Sequence, residues 1–231
     1  MGNSQKFLGT YKLCDVEGVL LDFDGTLVPS EKVFLHAWQE IFQNKYQCGF
    51  TEKEYIKYEL ERNTQLVDYL IENDRLDPNV EKRVFMQDVY DKYVIEYSNM
   101  LGDTDCRPIL EHIAKWAGTG IKLSIVSTSR REYVEKFFEK YEDYKNLFSC
   151  VLCREDVKEL KPDPMIYLLA ADKMGLEYSK CLVIEDSPKG VKGAMAAHMR
   201  VIRVVENTFK MESSLADFEI PVLTSIKNII L

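Results

Sequence analysis

Five short apolar runs constrain the fold of this chain more than any other feature. They occupy residues 18–22, 121–127, 149–153, 181–185 and 200–205. From the second onward they alternate with stretches at about 130–141, 163–174 and 189–197 whose apolar residues recur at helical spacing. Runs of this length without polar alternation read as strands buried on both faces, and strands alternating with helices read as βαβ units. The predicted class is therefore α/β: a doubly wound, Rossmann-like parallel sheet.

Between the first two runs the pattern changes. Residues 30–101 carry no strand signal, and their apolar residues recur at helical spacing. Trp38, Ile41 and Phe42 mark one face of a first helix. Val80, Val84, Val89, Tyr93 and Tyr97 mark a long later one, set off by Asp77-Pro78. The expected organisation is an α/β core over residues 1–29 and 102–231, interrupted by a helical cap over 30–101.

Composition narrows the function classes. With 46% hydrophobic and 29% charged residues, the chain is too rich in core formers to be disordered and too charged to be a membrane protein. No apolar run approaches the roughly 18 residues of a membrane span. A net charge of -8 argues against nucleic acid or an anionic membrane as partner. The six cysteines follow no disulfide-framework spacing and no leader pattern opens the chain, so reduced thiols and a cytoplasmic location are expected. The lone pair Cys150-Val-Leu-Cys153 reads as ordinary strand sequence, because positions three apart in a strand face opposite sides. Oligomeric state is not encoded in any of these patterns.

Chemistry-bearing residues collect where an open parallel sheet binds ligands, at the carboxyl ends of its strands. Asp22-Phe-Asp24-Gly25-Thr26 follows the first strand and Ser127-Thr128 ends the second. Lys161 precedes Pro162 after the third, and Glu185-Asp186 ends the fourth. Each alone has an ordinary reading as a turn or helix cap. Together they supply carboxylates, a hydroxyl and an ammonium at four strand ends. Asp22 and Asp24, two apart in extended chain, leave on the same face, so one can attack a substrate while the other moves a proton. A carboxylate is ionised at neutral pH and needs no base to become a nucleophile, which suits phosphorus as the electrophile. Asp22, Glu185 and Asp186 beside a phosphate would repel by about 4 kcal/mol per pair at roughly 4 Å and an effective dielectric near 20. A hard divalent ion, Mg²⁺, on oxygen ligands offsets that. Ser127 and Lys161 would then bind phosphoryl oxygens, with amides around Gly25 and Thr26 completing the cradle.

Asp22-Phe-Asp-Gly-Thr-Leu27, Ser127, Lys161-Pro-Asp-Pro164 and Glu185-Asp-Ser-Pro-Lys-Gly190 resemble, in order, the four motifs of the haloacid dehalogenase-like hydrolase superfamily. The resemblance implies Asp22 as nucleophile, and Asp24 as acid/base and metal ligand through its carbonyl. It also implies Ser127 and Lys161 on the phosphate, and Glu185 with Asp186 at Mg²⁺. The helical insertion is similar to the small cap of the β-phosphoglucomutase-like branch, a lid that closes over substrate. In that branch Arg62 falls where a cap arginine grips phosphate, although it reads equally as a solvated helix charge. Ser129 and Arg130 follow Ser127 as in a second phosphate site. Phe34 in Phe34-Leu-His-Ala-Trp38 replaces the mutase's histidine, which argues against a mutase. His36 and His112 read as surface or satisfied residues, and His198, standing at a helix-ending glycine position, as a strained cap.

The leading expectation is a Mg²⁺-dependent phosphatase acting on a small phosphorylated metabolite, such as a sugar or polyol phosphate, through an aspartyl-phosphate. The alternatives are a β-phosphoglucomutase-like phosphomutase and, further off, a non-enzymatic phospho-accepting signalling domain. The order of the acids disfavours the last, since a receiver's paired acids precede its accepting Asp.

Overall fold

The computed structural model describes residues 15–60, 66–205 and 215–226. They divide into two compact units, Met1–Pro29 with Asp105–Leu231, and Ser30–Thr104.

The first unit is built on a six-stranded parallel sheet. β1 (Gly18–Leu21) lies at its centre and is buried along its whole length. In the second unit follow α1 (Glu31–Tyr46), α2 (Glu52–Tyr55), α3 (Leu66–Glu72) and α4 (Lys82–Asp103). The chain then returns to the sheet through α5 (Arg107–Gly118), β2 (Lys122–Val126), α6 (Arg131–Lys140), β3 (Phe148–Leu152) and α7 (Met165–Met174). It continues with β4 (Cys181–Glu185), α8 (Pro188–Ala196), β5 (Arg200–Val204) and β6 (Phe218–Ile220). The strand order is β3-β2-β1-β4-β5-β6, all parallel.

The order follows from where apolar sequence lies. Strands buried on both faces are continuous in Val, Ile and Leu, and only a sheet covered by helices on both sides can hold them. Leu20, Val126, Leu152, Val183 and Val201 join Ile166, Tyr167 and Ala170 of α7 and Val191 of α8 in one buried cluster. Chain order reverses between β1 and β4, so the crevice for a ligand is expected at the carboxyl ends of those two neighbours. A sixth strand, β6, extends the sheet beyond the five apolar runs.

Two caps were readable from sequence. Ser187 caps α8 by accepting the Gly190 N–H at 3.0 Å. His198 adopts φ 57°, the left-handed conformation inferred for it. His112 is satisfied by the Ile226 carbonyl at 3.0 Å.

The second unit is helical and its core is aromatic. Trp38 and Phe42 of α1 are fully buried, and Phe85 of α4 lies 5.2 Å and 4.6 Å from their rings. The buried stripe of α4 is Phe85, Val89, Tyr93, Tyr97 and Leu101, four apart throughout. This corrects the stripe read from sequence at its start. Val80 precedes the helix and Val84 is 41% exposed, because the face that meets α1 begins at Phe85. Phe34 packs edge-on against Tyr93 at 5.0 Å. Thr51 and Glu54 form a reciprocal capping box at α2.

Candidate active site

Asp22 follows β1 and donates its N–H to the Ile184 carbonyl of β4 at 2.9 Å, which fixes it at the reversal point of the sheet. Glu185 ends β4 and Asp186 follows it. Asp22, Glu185 and Asp186 are all buried, and one carboxylate oxygen from each lies within 4.8 Å of the others. Lys161 reaches the same point from the loop before α7. Its Nζ donates to Asp22 Oδ1 at 2.5 Å, to Glu185 Oε1 at 2.5 Å and to the Val126 carbonyl at 2.9 Å. Residues far apart in sequence thus share one buried ionic cluster.

The charges govern one another. Burial, reinforced by the Glu185 carboxylate, pushes Asp22 up to about 7, while Lys161 pulls it back down. Burial works against the charge on Lys161, but Asp22 and Glu185 outweigh it and hold the ammonium above its ordinary range. Asp22 is thus a carboxylate whose ionisation depends on a positive partner.

Glu185 is the most heavily engaged of the three. Besides Lys161, its oxygens accept Tyr167 Oη–H at 2.8 Å, and the N–H groups of Asp186 and Ser187 and the Ser187 hydroxyl, each at 3.1 Å. A carboxylate offers about four lone-pair positions, so Glu185 is filled by protein donors. Asp22 and Asp186 therefore offer more capacity to meet a metal than Glu185 does. Gly190 permits this crowding, since a Cβ there would lie 1.9 Å from the Glu185 carboxylate. Tyr167 is a site residue that sequence reasoning missed: a Tyr in an apolar helix looks like core, and only its hydroxyl's partner reveals more.

The other expected residues are placed as follows. Asp24, half-buried, accepts the Ser129 hydroxyl on Oδ2 at 2.5 Å. Ser127 is buried, and its Oγ accepts the Ser129 N–H at 3.0 Å. Thr128 is half-buried beside it. Arg130 precedes α6 and pairs with Glu132 at 3.5 Å. Gly25, at φ 74°, donates its N–H to the Val28 carbonyl at 2.7 Å, so that amide serves the turn rather than an anion. Thr26 is buried, and its Oγ1 has no hydrogen-bond partner among the described residues. Arg62 lies outside the described residues. Ser129, expected at a second phosphate position, meets Asp24 here.

Three buried carboxylates with oxygens within 4.8 Å of one another form a hard-oxygen donor set of the kind that suits Mg²⁺. A second group, His36, Glu40 and Glu96 in the helical unit, already holds the Lys92 ammonium, 2.7 Å from Glu40 and 3.2 Å from Glu96. The Cys150 and Cys153 thiols are both pushed up by burial, Cys153 to about 12, which leaves them inert.

Residues 19–204 match the sequence model described as haloacid dehalogenase-like hydrolase. The chain belongs to the haloacid dehalogenase-like hydrolase family. It is 25% identical to the fructose-1-phosphate phosphatase YqaB of Escherichia coli, over 81% of this chain and 95% of that protein. It is 27% identical to a phosphorylated carbohydrates phosphatase of Thermotoga maritima, over 83% and 87%. It spans half or less of the length of two further relatives, both from Arabidopsis thaliana. In fold it is similar to CbbY from Rhodobacter sphaeroides, crystallised with phosphate, with a TM-score of 0.72 at 19% identity over 92% of this chain and 96% of that one. No helix among the described residues is long and apolar enough to cross a membrane.

Proposed function

We propose that this chain is a Mg²⁺-dependent phosphatase that hydrolyses a small phosphorylated metabolite, of the sugar or polyol phosphate kind, through an aspartyl-phosphate on Asp22. One observation carries the reading: Asp22, Lys161 and Asp186, supplied by three separate loops, converge on one buried point at the reversal of the sheet. The E. coli and T. maritima relatives, both named for phosphorylated sugars or carbohydrates, support the substrate class.

Asp22 attacks phosphorus, and its ionisation is maintained by Lys161. Asp24, held by Ser129, protonates the leaving oxygen and later takes a proton from water. Ser127 and Lys161 bind phosphoryl oxygens, Lys161 turning part of its charge from Asp22 to the substrate. Asp22 and Asp186, with the Asp24 carbonyl, would hold Mg²⁺, while Glu185 anchors Lys161. Bound there, the ion supplies positive charge to offset the carboxylates and the phosphoryl group. Phe34 stands in the aromatic core of the helical unit where a mutase needs an imidazole, which favours water as the final acceptor.

The test is a panel of phosphorylated metabolites with Mg²⁺, alongside Asp22→Asn. Free phosphate appearing in step with ester loss, absent in the variant, is the expected result. Isomerised ester identifies a mutase instead. A long-lived aspartyl-phosphate without turnover identifies a signalling domain.

A further inference from the structure

Arg203 is a second buried cation beside the acidic cluster, and the proposed chemistry does not use it. It stands on β5 at 4% exposure, in register with Glu185 of β4 on one side and Glu219 of β6 on the other. Residues in register on neighbouring strands share a face, so Glu185, Arg203 and Glu219 form one charged row across an otherwise apolar sheet. Arg203 Nε donates to the Asp186 carbonyl at 3.0 Å, and its Nη1 meets Glu219 Oε1 at 3.3 Å.

A guanidinium is costly to bury and is retained where it is paired and hydrogen-bonded. Here the pairing is divided: Glu219 balances the charge, while a main-chain carbonyl takes the Nε–H. That carbonyl belongs to Asp186, whose carboxylate faces Asp22. Fixing the Asp186–Ser187 peptide fixes the turn from which the carboxylate projects and at which Ser187 caps α8. Donors to a ligand's own residue commonly set metal affinity in this way.

We propose that Arg203 is a positioning residue of the metal site: it holds Asp186 in the orientation that binds a divalent ion, and Glu219 holds Arg203. The inference rests on the reading of the acidic cluster as a Mg²⁺ site, and not on which ester is hydrolysed. A cation at this place also repels a divalent ion, so positioning and charge have opposite signs. Removing Arg203 weakens metal binding if orientation dominates, as proposed, and strengthens it if only charge matters.

The experiment measures Mg²⁺ binding by calorimetry and Mn²⁺ binding by electron paramagnetic resonance on the metal-free full chain. Wild type is compared with Arg203→Met, Arg203→Lys and Glu219→Gln, with phosphate release measured separately. Arg203→Met should weaken binding by about 10- to 100-fold, the range for losing an outer partner of a metal ligand. Arg203→Lys should fall between, because an ammonium cannot span both partners as the planar fork does. Glu219→Gln should weaken binding less than Arg203→Met. Thermal midpoints in chelator report whether each variant folds. If Arg203→Met does not, weakened binding in the folded Lys and Gln variants upholds the proposal. Unchanged or tighter binding in the folded variants overturns it. A wild-type chain that binds no divalent ion overturns it together with the proposed function. Arg203-dependent binding without ester hydrolysis upholds it and overturns the phosphatase reading alone.

Discussion

Lys161→Met isolates the cation on which the site depends. Methionine keeps an unbranched stem in the buried channel, where Nζ lies 5.2 Å from the Tyr167 ring centre, but brings no charge. The change leaves Asp22 and Glu185 facing each other with oxygens no more than 4.8 Å apart. At an effective dielectric near 20 that separation costs at least about 3 kcal/mol, equivalent to more than two powers of ten. Removing one partner of a buried ion pair typically costs about 3–5 kcal/mol, so both routes agree. Asp22 is already pushed up to about 7, and without Lys161 it rises further. For an acid raised in the folded state, the fold binds a proton that the unfolded chain lacks, so stability falls as pH rises from the ordinary carboxylate range through the raised value. Metal-free Lys161→Met should therefore be about 3–5 kcal/mol less stable than wild type, and the gap should widen as pH rises above about 7, where wild type ionises Asp22 and the variant does not, and be smaller in acid. Urea unfolding in chelator, followed by circular dichroism from about pH 5 to about pH 8, measures this. Phosphate release at neutral pH should fall by about two to three powers of ten, since less Asp22 is ionised. A variant as stable as wild type at neutral pH, with no change in the gap toward acid, refutes the electrostatic coupling.

Further outcomes follow from the same cluster. Gly190→Ala places a Cβ 1.9 Å from the Glu185 carboxylate, and should cost about 1–3 kcal/mol and lower turnover at least about tenfold, read by unfolding and phosphate release. Tyr167→Phe removes one donor to Glu185 and should cost about 1–2 kcal/mol, with the metal-free thermal midpoint falling by about 2–8 °C. Mg²⁺ should raise the thermal midpoint more near pH 8 than near about pH 5.5, because Asp22, raised to about 7, must lose its proton to ligate; an equal rise at both would contradict this.

Much of the fold was legible because parallel strands buried on both faces leave continuous apolar runs, as in Leu182-Val183-Ile184 of β4. β6 left no such signal: it has three residues, and its middle one, Glu219, is acidic and pairs with Arg203. The start of the α4 stripe was read from Val80 and Val84, whereas the larger apolar area of Phe85 decides which face is buried there; Val89, Tyr93 and Tyr97 lie on it as expected. In the site, residues of unambiguous chemistry announced themselves: Asp22, Lys161, Glu185 and Asp186. Tyr167 and Arg203 did not, because their roles lie in what they touch. Lys161 illustrates the limit, since its position in the loop was readable but its simultaneous hold on Asp22, Glu185 and Val126 depends on three strands meeting.

The missing side chains of α8 carry a consequence for how this interior can vary. Gly190 and Gly193 lie nearly one helical turn apart. A Cβ at the first would strike Glu185, and one at the second would come 2.9 Å from the Tyr167 ring and 3.3 Å from the Pro162 carbonyl. Helix spacing and acid reach are therefore a single dimension measured twice. Shortening the acid by one methylene opens room for a methyl opposite it, so Glu185→Asp combined with Gly190→Ala should be less damaged in stability than the two separate losses added together. Any lineage that lengthens one partner must trim the other.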